Sequence, residues 1–142
     1  MSMKSKLSVL WIFVTLNYLY CDVAGLMDRS QLSQYLAGRI NGLDVSQGFL
    51  LASGILVEIP IAMVLLSRVL NHRANRVANI VAASVMTVVQ IATLFVGTPR
   101  SYYIFFSIIE IACTAYIVLT AWKWSESTLQ VDVPEQTRAS VS

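Results

Sequence analysis

The chain has 142 residues, 56% of them hydrophobic and 13% charged, with a mean hydropathy of +0.66. A soluble domain carries about 25% charged residues, so this composition cannot coat a water-facing surface and points to one integral membrane domain. A net charge of +2 excludes the basic footprint of a nucleic-acid binder, and two Cys with one His exclude the paired spacings of a zinc site.

Four stretches are long and apolar enough to cross a hydrocarbon core, which needs roughly 20 residues of helix. They lie at residues 7–23, 45–70, 77–96 and 103–122. The expected fold is therefore all-α, an integral membrane four-helix bundle occupying residues 1–124. Residues 125–142 form a polar tail without periodicity, expected to be disordered and cytoplasmic.

The first stretch starts like an export signal but lacks its cleavage site. Tyr20 precedes Cys21 where lipoprotein processing requires a small residue, and a cut after Ala24 would place Asp22 three positions upstream. It is read as a retained helix. Between the first two spans, Leu32, Leu36 and Ile40 fall at helical spacing behind Asp28, a capping residue. This predicts a short interfacial helix in the first external loop, ended near Asn41 and Gly42.

Asp44 followed by Gln47 resembles a capping box for the second span. Gly97, Thr98 and Pro99 stop the third. Tyr102 and Tyr103 at one end of the fourth, with Trp122 and Trp124 at the other, suit the membrane interface. Lys4, Lys6, Arg68, Arg73, Arg76 and Lys123 gather on one side, against Arg29, Arg39 and Arg100 on the other. That bias places both termini in the cytoplasm. Arg68 and His72 are expected to snorkel to that face.

The polar residues inside the spans carry the functional question. An ionisable group deep in a membrane helix costs about 2.5–3.5 kcal/mol and normally faces a bundle interior. Glu58 falls near the middle of its span, Glu110 and Gln90 roughly 10 Å from the outer end of theirs, and Asp22 close to the headgroups. Threes and fours align Ser8, Trp11, Thr15, Tyr18 and Asp22 on the first helix. The same spacing aligns Gly54, Glu58 and Ala62 on the second, Asn79, Ala83, Thr87, Gln90 and Thr93 on the third, and Ser107, Glu110 and Thr114 on the fourth. With these stripes inward, Tyr18, Asp22, Glu58, Gln90 and Glu110 meet in the outer half of the bundle.

Pro60 removes the donor that would bond the Leu56 carbonyl, so a helix kink is expected beside Glu58. Each polar residue also has a structural reading. Asp22 could pair with Arg29 or Arg39 near the interface, and Gln90 could be interhelical glue or bond a neutral Glu110. Cys21 and Cys113 read as buried packing residues.

The block EIPIAMVLLSRVLNHRANRVANI at 58–80, with LSVLWIFVTLNYLYCD and YYIFFSIIEIACTAYIVLTAWKW, resembles an uncharacterised family of small bacterial proteins. Such proteins form a domain of unknown function with four helices in the inner membrane. The resemblance implies a multi-pass architecture in the bacterial inner membrane and no particular activity. Two better-known four-helix families do not fit. Small multidrug exporters place a single Glu in the first helix, where this chain has Asp22 near the end. Vitamin K epoxide reductase-like enzymes need a Cys pair. DoxX-like proteins share only size and helix count.

The leading functional expectation is an accessory or interaction membrane protein. It would act in the lipid bilayer as a homodimer or beside a partner membrane subunit. One alternative is a proton- or cation-coupled transporter or ligand-binding protein using Glu58 and Glu110, with Gln90, Asp22 and Tyr18 around them. The other is a membrane enzyme on a lipid or quinone. No nucleophile, metal set or cofactor motif supports an enzyme, and no cofactor or metal is expected.

Overall fold

A computed structural model describes residues 1–125. The expected disorder of the tail falls outside the described residues, apart from Ser125. Among the described residues the chain has five helices and one two-stranded hairpin. Four helices are long and apolar enough to cross a membrane. They are α1 (Met3–Met27), α3 (Gln47–Val69), α4 (His72–Leu94) and α5 (Ser101–Lys123). The short α2 (Arg29–Leu36) and the hairpin β1 (Arg39–Ile40) and β2 (Leu43–Asp44) occupy the first connection.

Side-chain caps set where the helices begin. Ser2 Oγ accepts from the Ser5 amide, and Asp28 Oδ1 accepts from the Ser30 and Gln31 amides, each relieving backbone donors that a helix start leaves unpaired. Asp28 thus caps α2 as its sequence suggests. α4 starts five residues before the expected 77, because Asn71 Oδ1 accepts from the Ala74 amide at 3.0 Å. The expected capping box at Asp44 does not form. Ser46 Oγ caps α3 by accepting from Phe49 N at 3.1 Å, and Asp44 lies in β2 facing Arg39.

α2 also ends before Ile40. Gly38 turns the chain at φ +73°, and Asn41 and Gly42 follow at φ +50° and +82°. Two successive left-handed residues make the tight reversal that pairs Ile40 with Leu43 and Arg39 with Asp44. The Arg39–Asp44 ion pair (3.4 Å) adds to it.

The four long helices form a ring. α1 packs on α3 and α5, and α4 packs on α5 and α3, leaving α1 and α4 diagonal. The core holds Leu7, Trp11, Val14, Met63, Ala82, Ala83, Met86, Cys113, Ile117 and Trp124. Many large apolar side chains point outward instead, among them Leu19, Leu65, Val88, Ile108 and Leu119. Polar residues are buried between the helices while the circumference is apolar, an arrangement suited to lipid as solvent.

The buried face of α1 runs through Leu7, Trp11, Val14, Cys21 and Gly25, with the Tyr18 hydroxyl also buried. The expected stripe is right at Ser8, Trp11 and Tyr18 and drifts off at Asp22, which is exposed. The Leu7–Trp11–Val14–Tyr18–Cys21–Gly25 series advances by alternating steps of four and three, so these residues stay on one face of the helix. α3 departs further. Its buried residues are Pro60, Met63 and Ser67, about half a turn from Glu58. The helix continues through Pro60 from Gln47 to Val69. Trp124 is also not an interfacial ring: it is 2% exposed, stacked edge-on against His72 at 4.6 Å, while Trp122 faces outward.

Candidate functional site

The interior has two polar layers at different heights. The layer nearer the chain termini is a closed hydrogen-bond network around Asn79 of α4. Its Oδ1 accepts from Trp11 Nε1 of α1 at 2.7 Å and from Ser67 Oγ of α3 at 3.3 Å. Its Nδ2 donates to Asn75 Oδ1 at 2.6 Å and to the Asn75 carbonyl at 2.8 Å. Asn75 Nδ2 in turn donates to the Ser67 carbonyl at 2.6 Å. Ser8 Oγ of α1 donates to the Val64 carbonyl of α3 at 2.8 Å. Asn79 therefore fills both acceptor and both donor positions of its amide. It joins the two diagonal helices to α3, and this layer fixes how three helices register.

The second layer lies nearer the long connection. Here α4 and α5 are stitched by polar side chains. Gln90 Nε2 donates to Ser107 Oγ at 2.7 Å, and Tyr103 OH donates to Thr93 Oγ1 at 2.6 Å. The hydroxyls of Thr87 and Thr114 meet at 2.8 Å. Among these partnered groups sits Glu110, 1% exposed, whose two carboxyl oxygens have no hydrogen-bond partner. The Tyr18 hydroxyl of α1 is likewise buried and unpartnered. Tyr18, Cys21, Tyr103 and Asp22 all lie within electrostatic reach of Glu110. Buried polar groups are nearly always bonded, so two unpartnered ones in a single layer call for an explanation.

α2 folds over this end. A Cβ added at Gly25 would come within 3.3 Å of the Tyr35 hydroxyl and 3.4 Å of the Tyr102 hydroxyl, so the glycine leaves room for two tyrosines. Burial pushes the Tyr35 phenol up from its ordinary value, with Asp22, Cys21 and Asp28 adding to the effect. Arg100 ties the connection down, at 3.6 Å from Asp28 and hydrogen-bonded to Ser30 Oγ.

The site expected from the sequence comprised Tyr18, Asp22, Glu58, Gln90 and Glu110. The structure brings Tyr18, Gln90 and Glu110 into one layer and leaves Asp22 at its exposed rim. Asp22 is not paired with Arg39, which is held by Asp44. Gln90 is committed to Ser107, so it does not bond Glu110. Glu58 does not join them. It is exposed on the outer side of α3, because the buried face of that helix is set by Met63 and Ser67. Cys21 and Cys113 are buried and free, as expected, with Cys113 Sγ directed to the Leu10 carbonyl at 3.6 Å. His72 does not snorkel: both its ring nitrogens are buried against Trp124. Among the described residues no group of three His, Cys, Asp or Glu side chains could hold a metal ion.

The Asn75–Ser67 part of the lower network is absent from the sequence reading. Asn75 and Asn79 stand one turn apart, a usable signal, but Asn75 falls in a stretch read as the loop before the third span.

The model of a family of unknown function, DUF6326, matches residues 2–131. The chain belongs to this family. No curated protein and no solved structure matches it. The DUF6326 match spans both polar layers and all four long helices, in keeping with the resemblance to an uncharacterised family.

Proposed function

We propose that this DUF6326 protein is a multi-pass membrane protein that binds and releases a proton or a small cation at Glu110. The supporting observation is that both Glu110 oxygens and the Tyr18 hydroxyl, within electrostatic reach of them, are buried and lack partners. An isolated carboxylate in an apolar interior is too costly to persist, so the group must hold a proton or a positively charged ligand. Tyr18 can donate to a carboxylate, and its own oxygen can accept from a bound cation. The α4–α5 seam at Gln90–Ser107 supplies one wall, and α1 supplies the other. By the Lys and Arg distribution, the protein places both termini in the cytoplasm and the Glu110 layer in the outer half of the bilayer.

A second reading, an interaction protein, is favoured by Glu58 on the outer face of α3. The two readings use different acids and are compatible.

Infrared difference spectra of the protein in lipid bilayers test the Glu110 site. The wild type is expected to show a carboxyl C=O band whose amplitude changes between acidic and alkaline buffer, or on adding a monovalent cation. Glu110→Gln should remove that response and Glu58→Gln should keep it. A carboxyl band at Glu110 that is insensitive to both treatments would make this acid a permanent structural element and exclude the exchange reading.

A further inference from the structure

Glu58 stands at the midpoint of α3: eleven residues, 47–57, precede it and eleven, 59–69, follow. At 1.5 Å per residue it is about 16 Å from either helix end. In a spanning helix that is the centre of the hydrocarbon, and Glu58 is turned away from its own bundle. Hydrocarbon is a poor neighbour for a carboxyl, so another surface must cover this face. The rest of α3 agrees. It is the least buried of the four long helices, with 11% of its most apolar stretch buried against 22% to 39% for the others.

The uncovered face has a regular pattern. Leu51, Gly54, Glu58, Ile61 and Leu65 are all exposed and follow one another at alternating steps of three and four. That is the seam by which one helix packs on a like helix. A Cβ at Gly54 would meet nothing within 4 Å, so a neighbouring backbone has room to approach one turn from Glu58. Arg68 continues the series at the helix end, where its long side chain reaches the headgroups.

We propose that a second copy of this chain covers α3, forming a two-fold dimer with Glu58 against Glu58 of the other copy. The choice of a like partner follows from the chemistry of the side chain. A two-fold axis sets each seam residue against itself. Most polar groups with a charge repel their copy there. A carboxylic acid carries both a donor and an acceptor, so two of them complete each other's hydrogen bonds. With both copies inserted in the same direction the axis runs along the membrane normal, so the two Glu58 carboxyls lie at one depth. The proposal rests on α3 spanning the bilayer, as in the reading above, and does not depend on Glu110.

Cysteine cross-linking in proteoliposomes tests it. Ile61→Cys, on the seam, is expected to give a disulfide-linked dimer on oxidation. Val88→Cys, equally apolar and 66% exposed on α4, should give none. Glu58→Leu should weaken dimerisation, followed by fluorescence energy transfer on lipid dilution, by about tenfold, the scale of an interhelical hydrogen bond in a bilayer. Glu58→Gln, whose amide is also self-complementary, should stay within about threefold of wild type. A monomeric wild type, equal cross-linking at both cysteines, or a Glu58→Leu variant that pairs as tightly as wild type would each overturn the dimer. Reaction of Ile61→Cys with a membrane-impermeant maleimide in intact vesicles would instead defeat the membrane-spanning reading itself.

Discussion

Trp11→Ala is expected to lower the unfolding free energy by about 3–5 kcal/mol, measured by denaturant titration in mixed micelles. Trp11 is fully buried and packs in the core with Leu7, Val14 and Met63. Removing an indole leaves a cavity that neighbouring helices cannot fill without losing their register. It also removes the donor that reaches across the bundle to Asn79. Trp11→Phe separates the two effects. It keeps most of the volume and should cost only about 1–2 kcal/mol for the lost hydrogen bond. If both variants cost the same, the cavity would be unimportant and the packing account of α1 would be wrong.

Asn79→Leu should cost about 2–3 kcal/mol by the same assay. The leucine has similar bulk but orphans Trp11 Nε1 and Asn75 Oδ1, both buried. Each orphan costs about 1–3 kcal/mol in water-soluble proteins, and interhelical bonds in membranes contribute toward the low end. The two sites share one bond, so Trp11→Phe combined with Asn79→Leu should cost less than the sum of the single changes. Additive losses would mean that the Trp11–Asn79 bond contributes nothing in the folded protein.

The four long helices are legible because apolar runs of this length, in a chain with so few charges, mark helices able to cross a membrane. The ends of the helices are less so. Asp44 and Ser46 are both capping types two residues apart. What decides between them is the hairpin, which takes Asp44 into a strand and ties Val45 N to the Gly38 carbonyl at 2.8 Å. The Asn41–Gly42 dipeptide is the signal for that hairpin, masked by flanks of only two residues each.

Helix facing is legible in proportion to contrast. On α5 the polar residues Ser107, Glu110 and Thr114 stand against an otherwise apolar surface, and all three are buried. α3 is apolar nearly all round, so periodicity gives it no direction. Its one acid, Glu58, is exposed and does not mark the buried side, which is set by Pro60, Met63 and Ser67. The Glu110 layer is therefore readable from sequence as a set of residues. That its carboxyl is bonded to none of them is not, because hydrogen-bond pairing depends on rotamers and helix rotation. Gln90 could reach either Glu110 or Ser107 from its position on α4, and the closer fit to Ser107 is a property of the packed bundle.

The two polar layers differ in how fully their buried groups are bonded. The Asn79 network is fully bonded and stabilises the fold. Glu110 is as deeply buried, yet its carboxyl oxygens have no hydrogen-bond partner, and the proposed exchange site rests on that difference. The most direct test compares Glu110→Leu with wild type and Asn79→Leu for unfolding free energy in mixed micelles. Replacing an unpartnered buried polar group by an apolar one of similar shape is close to neutral or stabilising. The account predicts that Glu110→Leu unfolds at or above the wild-type midpoint while Asn79→Leu falls well below it. A Glu110→Leu variant destabilised as much as Asn79→Leu would contradict it, because Glu110 would then be a structural member of the bundle.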